Sequence, residues 1–292
     1  MDDYLYPINM QELHLADQQH AMTALESGKI IYFPTDSFTV QADEHILLSE
    51  SVLDRSHKNI SYDYCRQRLA GLAKTDSSST LPATMQEFMR RYAQFSKQLV
   101  DTLLPQYTAC IRWGRTSYRP AEIKGRKSSR RKDDTRVHVD SFAATPVNGL
   151  RILRIFCNIN PYGEPRAWHV GEAFSKVLKT FSPQISPYSS ARAKLLKFIK
   201  ATKTLRSPYD HYMLKLHDKM KLDDHYQQTL TKQRIDFPPQ STWIVFTDHV
   251  SHAALSGQFL LEQTFYLPVT AMANPALSPL KQWEHEKLKV LI

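Results

Sequence analysis

The chain has 292 residues, 42% hydrophobic and 23% charged, which is enough to bury a core unaided and too ordinary for a disordered or collagen-like protein. Only eight glycines, with no GxGxxG and no P-loop pattern, speak against dinucleotide or P-loop chemistry, and three scattered cysteines (Cys65, Cys110, Cys157) against a disulfide framework or zinc ribbon. The formal net charge of +9 is uneven: Arg112 to Arg136 holds ten Lys or Arg against three Asp or Glu, so an anionic partner is expected, whether nucleic acid, acidic lipid, phosphate or sugar acid.

The start, Met1-Asp2-Asp3-Tyr4, is acidic and lacks an apolar run, so no secretory leader is expected; unpaired cysteines fit a reducing cytoplasm. A first helix is predicted over about Gln11 to Ser27, stopped by Gly28, then a strand over Lys29 to Phe33 and a short one around Phe38 to Val40. Ser61 to Leu72 reads as helix. Ser77-Ser78-Ser79 reads as a loop, and Thr84 to Glu87 as a capping box opening a helix whose Phe88, Tyr92, Phe95, Leu99 and Leu103 form a core-facing stripe. Strands follow at Tyr107 to Trp113, Thr135 to Asp140 and Leu150 to Ile159, the last two joined by an Asn148-Gly149 hairpin. Phe174 to Phe181, Ala191 to Arg206 and Asp210 to Lys232 read as helices, and Thr242 to Phe246 and Leu260 to Val269 as strands.

This order is α+β with a β-sandwich or barrel core: strands within about 29–40, 107–160 and 241–270, N-terminal helices, and a helical insertion over about 170–235, all in one domain spanning 1–292.

The sharpest local feature is Val137-His138-Val139-Asp140. On a strand, His138 and Asp140 share a face, and one imidazole with one carboxylate makes two ligands for a divalent metal. A further His would complete the two-His-one-carboxylate triad of non-haem Fe(II) oxygenases. His252 is the first choice, beyond the turn after Phe246, with His249 the alternative. Taken alone, an HxD is more often a satisfied strand histidine beside a solvated aspartate. An oxygenase of this kind uses 2-oxoglutarate, whose distal carboxylate needs a cation. Arg151 and Arg154 follow the HxD with opposite parity; Arg154, sharing a face with Ile152 and Phe156, is preferred for the cosubstrate.

Ordered blocks along the chain carry a resemblance. They include Ser117-Tyr118-Arg119-Pro120, Arg136 to Asp140, Leu150 to Phe156, Asn158-Ile159-Asn160-Pro161, Gly163-Glu164-Pro165-Arg166, Tyr209-Asp210-His211, Val250-Ser251-His252-Ala253 and Glu262-Gln263-Thr264-Phe265. From Tyr32-Phe33-Pro34 to Leu267-Pro268, the sequence resembles the Kdo hydroxylase family. The resemblance implies a double-stranded β-helix (jelly-roll, cupin-like) core and an Fe(II)-dependent dioxygenase using 2-oxoglutarate and O2. It implies that His138, Asp140 and His252 hold the iron. The implied reaction hydroxylates the 3-deoxy carbon of Kdo (3-deoxy-D-manno-oct-2-ulosonic acid) on Kdo–lipid A to give Ko, at the cytoplasmic face of the inner membrane. Where many such oxygenases carry an Arg soon after the distal His, this chain has Glu262-Gln263-Thr264, so the cosubstrate cation comes from elsewhere.

The basic stretch fits an acidic, phosphorylated substrate: Arg115, Arg119, Lys124, Arg126, Arg130 and Arg131 precede the metal pair. In the helix after Ala191, an apolar stripe (Leu195, Phe198, Ile199, Leu205) opposes Arg192, Lys194, Lys197, Lys200 and Lys203. Such a helix packs on a core or lies on an anionic membrane. Asp210, His217 and Asp224, seven apart, either contact sugar hydroxyls or pair with the basic segment. Two other functions stay open: the same chemistry on another acidic sugar or lipid, and non-catalytic polyanion binding. Nucleic acid is not expected, for want of a recognition helix or RNP-type aromatics.

Overall fold

Phe237 and Trp243 lie face to face at 3.9 Å, and Trp168 meets Trp243 edge-on at 5.6 Å, in the space between two β-sheets. The computed structural model describes residues 4–76, 78–126 and 128–292. Met1 to Asp3, Ser77 and Lys127, which the readings of the start, the serine loop and the basic stretch include, lie outside them. In chain order the elements are β1 (Leu5–Pro7), α1 (Leu15–Glu26), β2 (Ile30–Phe33), β3 (Ile60–Asp63), β4 (Arg68–Ala70), α2 (Leu81–Leu103), β5 (Arg112–Arg119), β6 (Arg151–Asn158), β7 (Arg166–Val170), α3 (Phe174–Phe181), α4 (Ser190–Phe198), α5 (Pro208–Leu222), α6 (Asp224–Thr229), β8 (Gln233–Phe237), β9 (Ser241–Phe246), β10 (His252–Ser256), β11 (Leu260–Leu267) and α7 (Pro279–Lys287).

The large sheet runs β1-β2-β9-β6-β11-β5-β3-β4 and the small one β10-β7-β8, antiparallel except for β1 beside β2. Neighbours distant in sequence, such as β5 with β11 and β6 with β9, make the double-stranded β-helix. Sheet periodicity explains the core. Phe156, Trp168, Val170, Phe237, Trp243 and Val245 point between the sheets, while Leu153, Ile155, Ile244 and Phe246 face outward under α1 and α2. Along α2, Phe88, Tyr92, Leu99 and Leu103 are buried as the stripe predicts, each contributing roughly 1.5–3 kcal/mol by leaving water. Tyr92 also donates its hydroxyl to the Ile155 carbonyl at 2.9 Å.

Several boundaries differ from the sequence reading. Phe38 to Val40 is irregular. Residues 61–72 form a hairpin, not a helix: Ile60 and Tyr62 bury while Ser61 and Asp63 stay half-exposed, a period of two, and Gln67 makes the turn at φ +50°. Helix α2 starts a turn before the expected capping box, with Thr84 Oγ1 bonded back to the Thr80 carbonyl. The strand expected from Tyr107 begins at Arg112, after a 3-10 turn over Pro105–Tyr107.

Asn148 and Gly149 do take left-handed φ of 49° and 82°, but β6 pairs with β9 and β11, so the turn joins no hairpin. The Asn148 amide is held instead by the Asp210 carboxylate. The helix after Ala191 stops at Phe198, with Lys200 at φ +57°. Residues 210–232 divide into α5 and α6, after which β8 begins; β1, β7, β8, β10 and α7 were not anticipated.

Candidate metal centre and its cavity

The HxD segment is extended and joined to the small sheet by a single bridge, in which the His138 amide donates to the His252 carbonyl (2.9 Å) and the reverse (2.8 Å). Val137 and Val139 fill the core, so His138 and Asp140 turn into a cavity. One nitrogen each of His138 and His252 and an Asp140 oxygen lie within 4.8 Å of one another. His138 Nε2 is 3.6 Å from Asp140 Oδ1.

Each imidazole is oriented alike. His138 Nδ1 bonds the Arg136 carbonyl and His252 Nδ1 the Val250 carbonyl, both at 2.8 Å, which places the proton on Nδ1 and leaves Nε2 free as a ligand. Burial pushes His138 down to about 4 against the pull of Asp140, and lowers His252 as well. Burial acts upward on Asp140, but Arg154 and both histidines outweigh it and hold the carboxyl well below its usual range. Asp140 Oδ2 is buried and accepts no hydrogen bond. Two neutral imidazoles and one carboxylate with an unsatisfied oxygen are the donors that a first-row divalent metal requires, so the residues fit a ferrous ion.

The cavity, about 390 Å³, has apolar walls from Phe156, Trp168 and Leu260. Arg154 reaches into it, 3.3 Å from Asp140 Oδ2 and 3.3 Å from Glu262 Oε1. Arg151, the other cosubstrate candidate, does not. It points to the opposite side of β6 and is fully buried against Asp248 (2.8 Å), with its guanidinium over the Phe246 ring. A third arginine was missed. Arg166 shares the inward parity of Trp168 and Val170, donates to the Gly257 carbonyl at 2.7 Å, and has a buried Nε without a partner. Gly257 permits this approach: its φ is +111°, and a Cβ there would come within 3.0 Å of the Arg166 side chain. Burial and Arg119 push the Arg166 guanidinium down to about 9, and no acid forms an ion pair with it among the described residues. Its alternation with apolar residues in Arg166-Ala167-Trp168-His169-Val170 was the available signal.

His249 is not part of the centre. It packs on Phe174 and Gly28 in a separate cavity of about 210 Å³, where burial lowers it to about 3. The basic stretch is largely neutralised. Arg126 (2.9 Å), Lys58 (3.5 Å), Arg119 (4.0 Å) and Lys221 (4.0 Å) surround Asp134. Burial raises that carboxyl, but these cations prevail and hold it at about 2. Arg130 pairs with Asp224 and Arg131 with Asp218, Arg115 lies 3.4 Å from Asp63, and Lys124 is exposed. Arg119 and Arg131 border the metal cavity; Arg126 and Arg130 do not line it. An outer chamber of about 620 Å³, bordered by Arg115, meets the metal cavity at Arg119, Phe142, Arg154 and Glu262.

The residues spaced seven apart divide between the two readings. Asp210 caps α5 and holds the amides of Val147 and Asn148, and Asp224 pairs with Arg130 and Arg136. His217 lines the metal cavity, edge-on to His138 at 5.3 Å. On α4 the apolar stripe faces solvent: Leu195 is 57%, Phe198 83% and Ile199 58% exposed. No helix among the described residues is long and apolar enough to cross a membrane.

Fold and site together define a double-stranded β-helix protein with a three-donor pocket suited to a divalent transition metal. Residues 9–288 match the family described as 3-deoxy-D-manno-oct-2-ulosonic acid (Kdo) hydroxylase. The chain is similar to the solved structure of the Kdo hydroxylase KdoO, a non-heme Fe(II) alpha-ketoglutarate-dependent dioxygenase, in complex with alpha-ketoglutarate and Fe(III). Identity is 42% over 99% of this chain and 97% of that one, with a TM-score of 0.94. The cobalt(II) complex (42% identity, 99% and 98% covered, TM-score 0.95) and the apo structure (43%, 99% and 97%, 0.94) agree. No curated protein sequence matches. The chain belongs to the Kdo hydroxylase family.

Proposed function

We propose that this protein is an Fe(II)- and 2-oxoglutarate-dependent dioxygenase that hydroxylates the 3-deoxy carbon of Kdo on Kdo–lipid A, giving Ko. The observation that carries the reading is the convergence of His138 and His252 nitrogens and an Asp140 oxygen within 4.8 Å, on the cavity wall of a family member. When bound, ferrous ion and 2-oxoglutarate supply an oxidation that inserts one atom of O2 into a C–H bond while the cosubstrate becomes succinate and CO2.

The protein's own residues bind, orient and exclude water. His138, Asp140 and His252 hold the metal. Arg154, already shared between Asp140 and Glu262, braces the carboxylate ligand. Arg166 takes the distal carboxylate of the cosubstrate, because it is a buried cation in the cavity that forms no ion pair with an acid among the described residues, and a guanidinium fork suits a carboxylate. Phe156, Trp168 and Leu260 keep that end of the cavity dry. Arg119, Arg131 and Arg115, around the metal cavity and outer chamber, receive the anionic substrate.

The α4 face supports contact with an anionic membrane. Leu195, Phe198 and Ile199 are exposed among Lys194, Lys197 and Lys200, and the following loop borders the outer chamber through Lys203, whose amide bonds the Ala144 carbonyl. The reaction tests the whole reading. Purified protein with Fe(II), ascorbate, 2-oxoglutarate and Kdo–lipid A should release succinate and add one oxygen atom to the Kdo residue. Undiminished turnover by Asp140→Ala would overturn the assignment of the centre, and a product unchanged in mass would overturn the substrate.

A further inference from the structure

A cavity of about 220 Å³ lies between α4 and α5 and meets the metal cavity at Arg131. We infer that it is an anion site for a phosphate group, set beside the metal cavity to hold a second charge of the same glycolipid; this rests on the function proposed above. Its walls carry four permanent cations, Arg131, Arg192, Arg206 and Lys215, against one acid, Asp218. That acid is already engaged, with Oδ2 3.4 Å from Arg131 and Oδ1 3.1 Å from His217. Arg192 and Lys215 make no ion pair with any described residue. Arg206 donates Nη2 to the Ala143 carbonyl at 2.7 Å, while its Nε is buried without a partner.

Four cations against one acid leave an excess of like charge that costs free energy, and an anion between them relieves it. Tyr188, Leu196 and Leu214 supply apolar wall, which lowers the local dielectric and strengthens such pairing. A compact tetrahedral phosphate offers oxygens to guanidinium forks and to a lysine ammonium at once.

The position gives the site a use. His211, Leu214, Lys215 and Asp218 of α5 line this cavity, His217 and Lys221 of the same helix line the metal cavity, and Arg131 borders both. His217 and Asp218, hydrogen-bonded at 3.1 Å, stand one in each cavity, so the two adjoin. A sugar at the metal and a phosphate of the same molecule at α4 therefore lie within the reach of one glycolipid headgroup.

The test uses the full chain loaded with Co(II) and 2-oxoglutarate, and the variant Arg192→Ser/Lys215→Ser, whose changes leave the core and the metal cavity untouched. Calorimetric titration with inorganic phosphate should give binding to the wild type that weakens roughly 10- to 100-fold in the variant, the loss expected for removed charge-assisted bonds. Equal phosphate binding by both proteins, or none by the wild type, would overturn the site. The source of the phosphate is read with Fe(II) enzyme. A KM that rises for phosphorylated Kdo–lipid A, but not for its dephosphorylated form, with kcat preserved, assigns the site to the substrate's own phosphate. Unchanged KM values with phosphate binding lost assign it to free phosphate and overturn the substrate role. Should no substrate be hydroxylated, the proposed function fails while the phosphate titration still decides the cavity.

Discussion

The indole of Trp168 stacks on the imidazole of His252, with centroids 5.0 Å apart and 21° between planes. The two rings sit on paired strands, Ala254 of β10 opposite Trp168 of β7. The stack and the Nδ1 bond to the Val250 carbonyl together hold the His252 ring with its Nε2 toward the other two donors. Outer contacts of this kind orient a ligand before the metal arrives.

Replacing Trp168 by Leu should therefore weaken metal binding although no ligand is changed. Calorimetry with Co(II) should show affinity lower by about 10- to 100-fold, the usual loss when the support of a ligating imidazole goes. Trp168→Phe, which keeps an aromatic face, should remain near wild type. Equal affinity of all three proteins would show that the stack does not orient the ligand.

Arg151 and Asp248 make a fully buried pair at 2.8 Å on the far side of β6 from the cavity. Arg151→Met should cost about 3–5 kcal/mol of stability by stranding the Asp248 charge, and Arg151→Met/Asp248→Leu should recover most of it. Urea unfolding measures both. The affinity of the double variant for 2-oxoglutarate should equal that of wild type; a loss of affinity would return Arg151 to the cosubstrate site.

Arg166 and Arg154 should separate by what they disturb. Arg166→Met should raise the KM for 2-oxoglutarate by roughly 10- to 100-fold, the worth of a charge-assisted pair, with Co(II) affinity unchanged. Arg154→Met should weaken Co(II) binding as well, since Asp140 loses its brace at 3.3 Å. The reverse pattern would exchange their roles.

His249 predicts an acid sensitivity. Its imidazole is held by burial at about 3, against an unfolded value near 6.5. The folded chain thus binds fewer protons than the unfolded one between these values. The contribution is complete above about pH 6.5 and falls by up to about 1.4 kcal/mol per pH unit as pH drops toward 3. His249→Gln should flatten the stability profile by up to one proton between pH 4 and 6. The loss from Asp134, held at about 2, sets in as pH falls to the ordinary carboxylate value of 3.8 and is complete below about 2, and it is common to both proteins. Parallel profiles for wild type and His249→Gln would refute the buried, neutral state.

Much of this was legible in the chain. Strand periodicity placed β2, β6, β9 and β11, the stripe from Phe88 to Leu103 placed α2, and the HxD parity put His138 and Asp140 on one face. Distant pairing was not legible. Only the fold brings β7 beside β10, and so Arg166 and Trp168 to the cavity. Parity separated Arg151 from Arg154 but did not say which side held the cavity, because both faces of β6 are buried. The segment 61–72 misled because Leu69 and Leu72 keep a helical spacing, while Ile60 and Tyr62, paired with β5, decide its conformation.

The most direct test is anomalous diffraction at the iron edge from crystals grown anaerobically with Fe(II). One peak should lie about 2.0–2.2 Å from His138 Nε2, His252 Nε2 and an Asp140 oxygen, the bond lengths usual for such donors. A peak at any other cluster, or none at this one when iron is present in excess, would contradict the account.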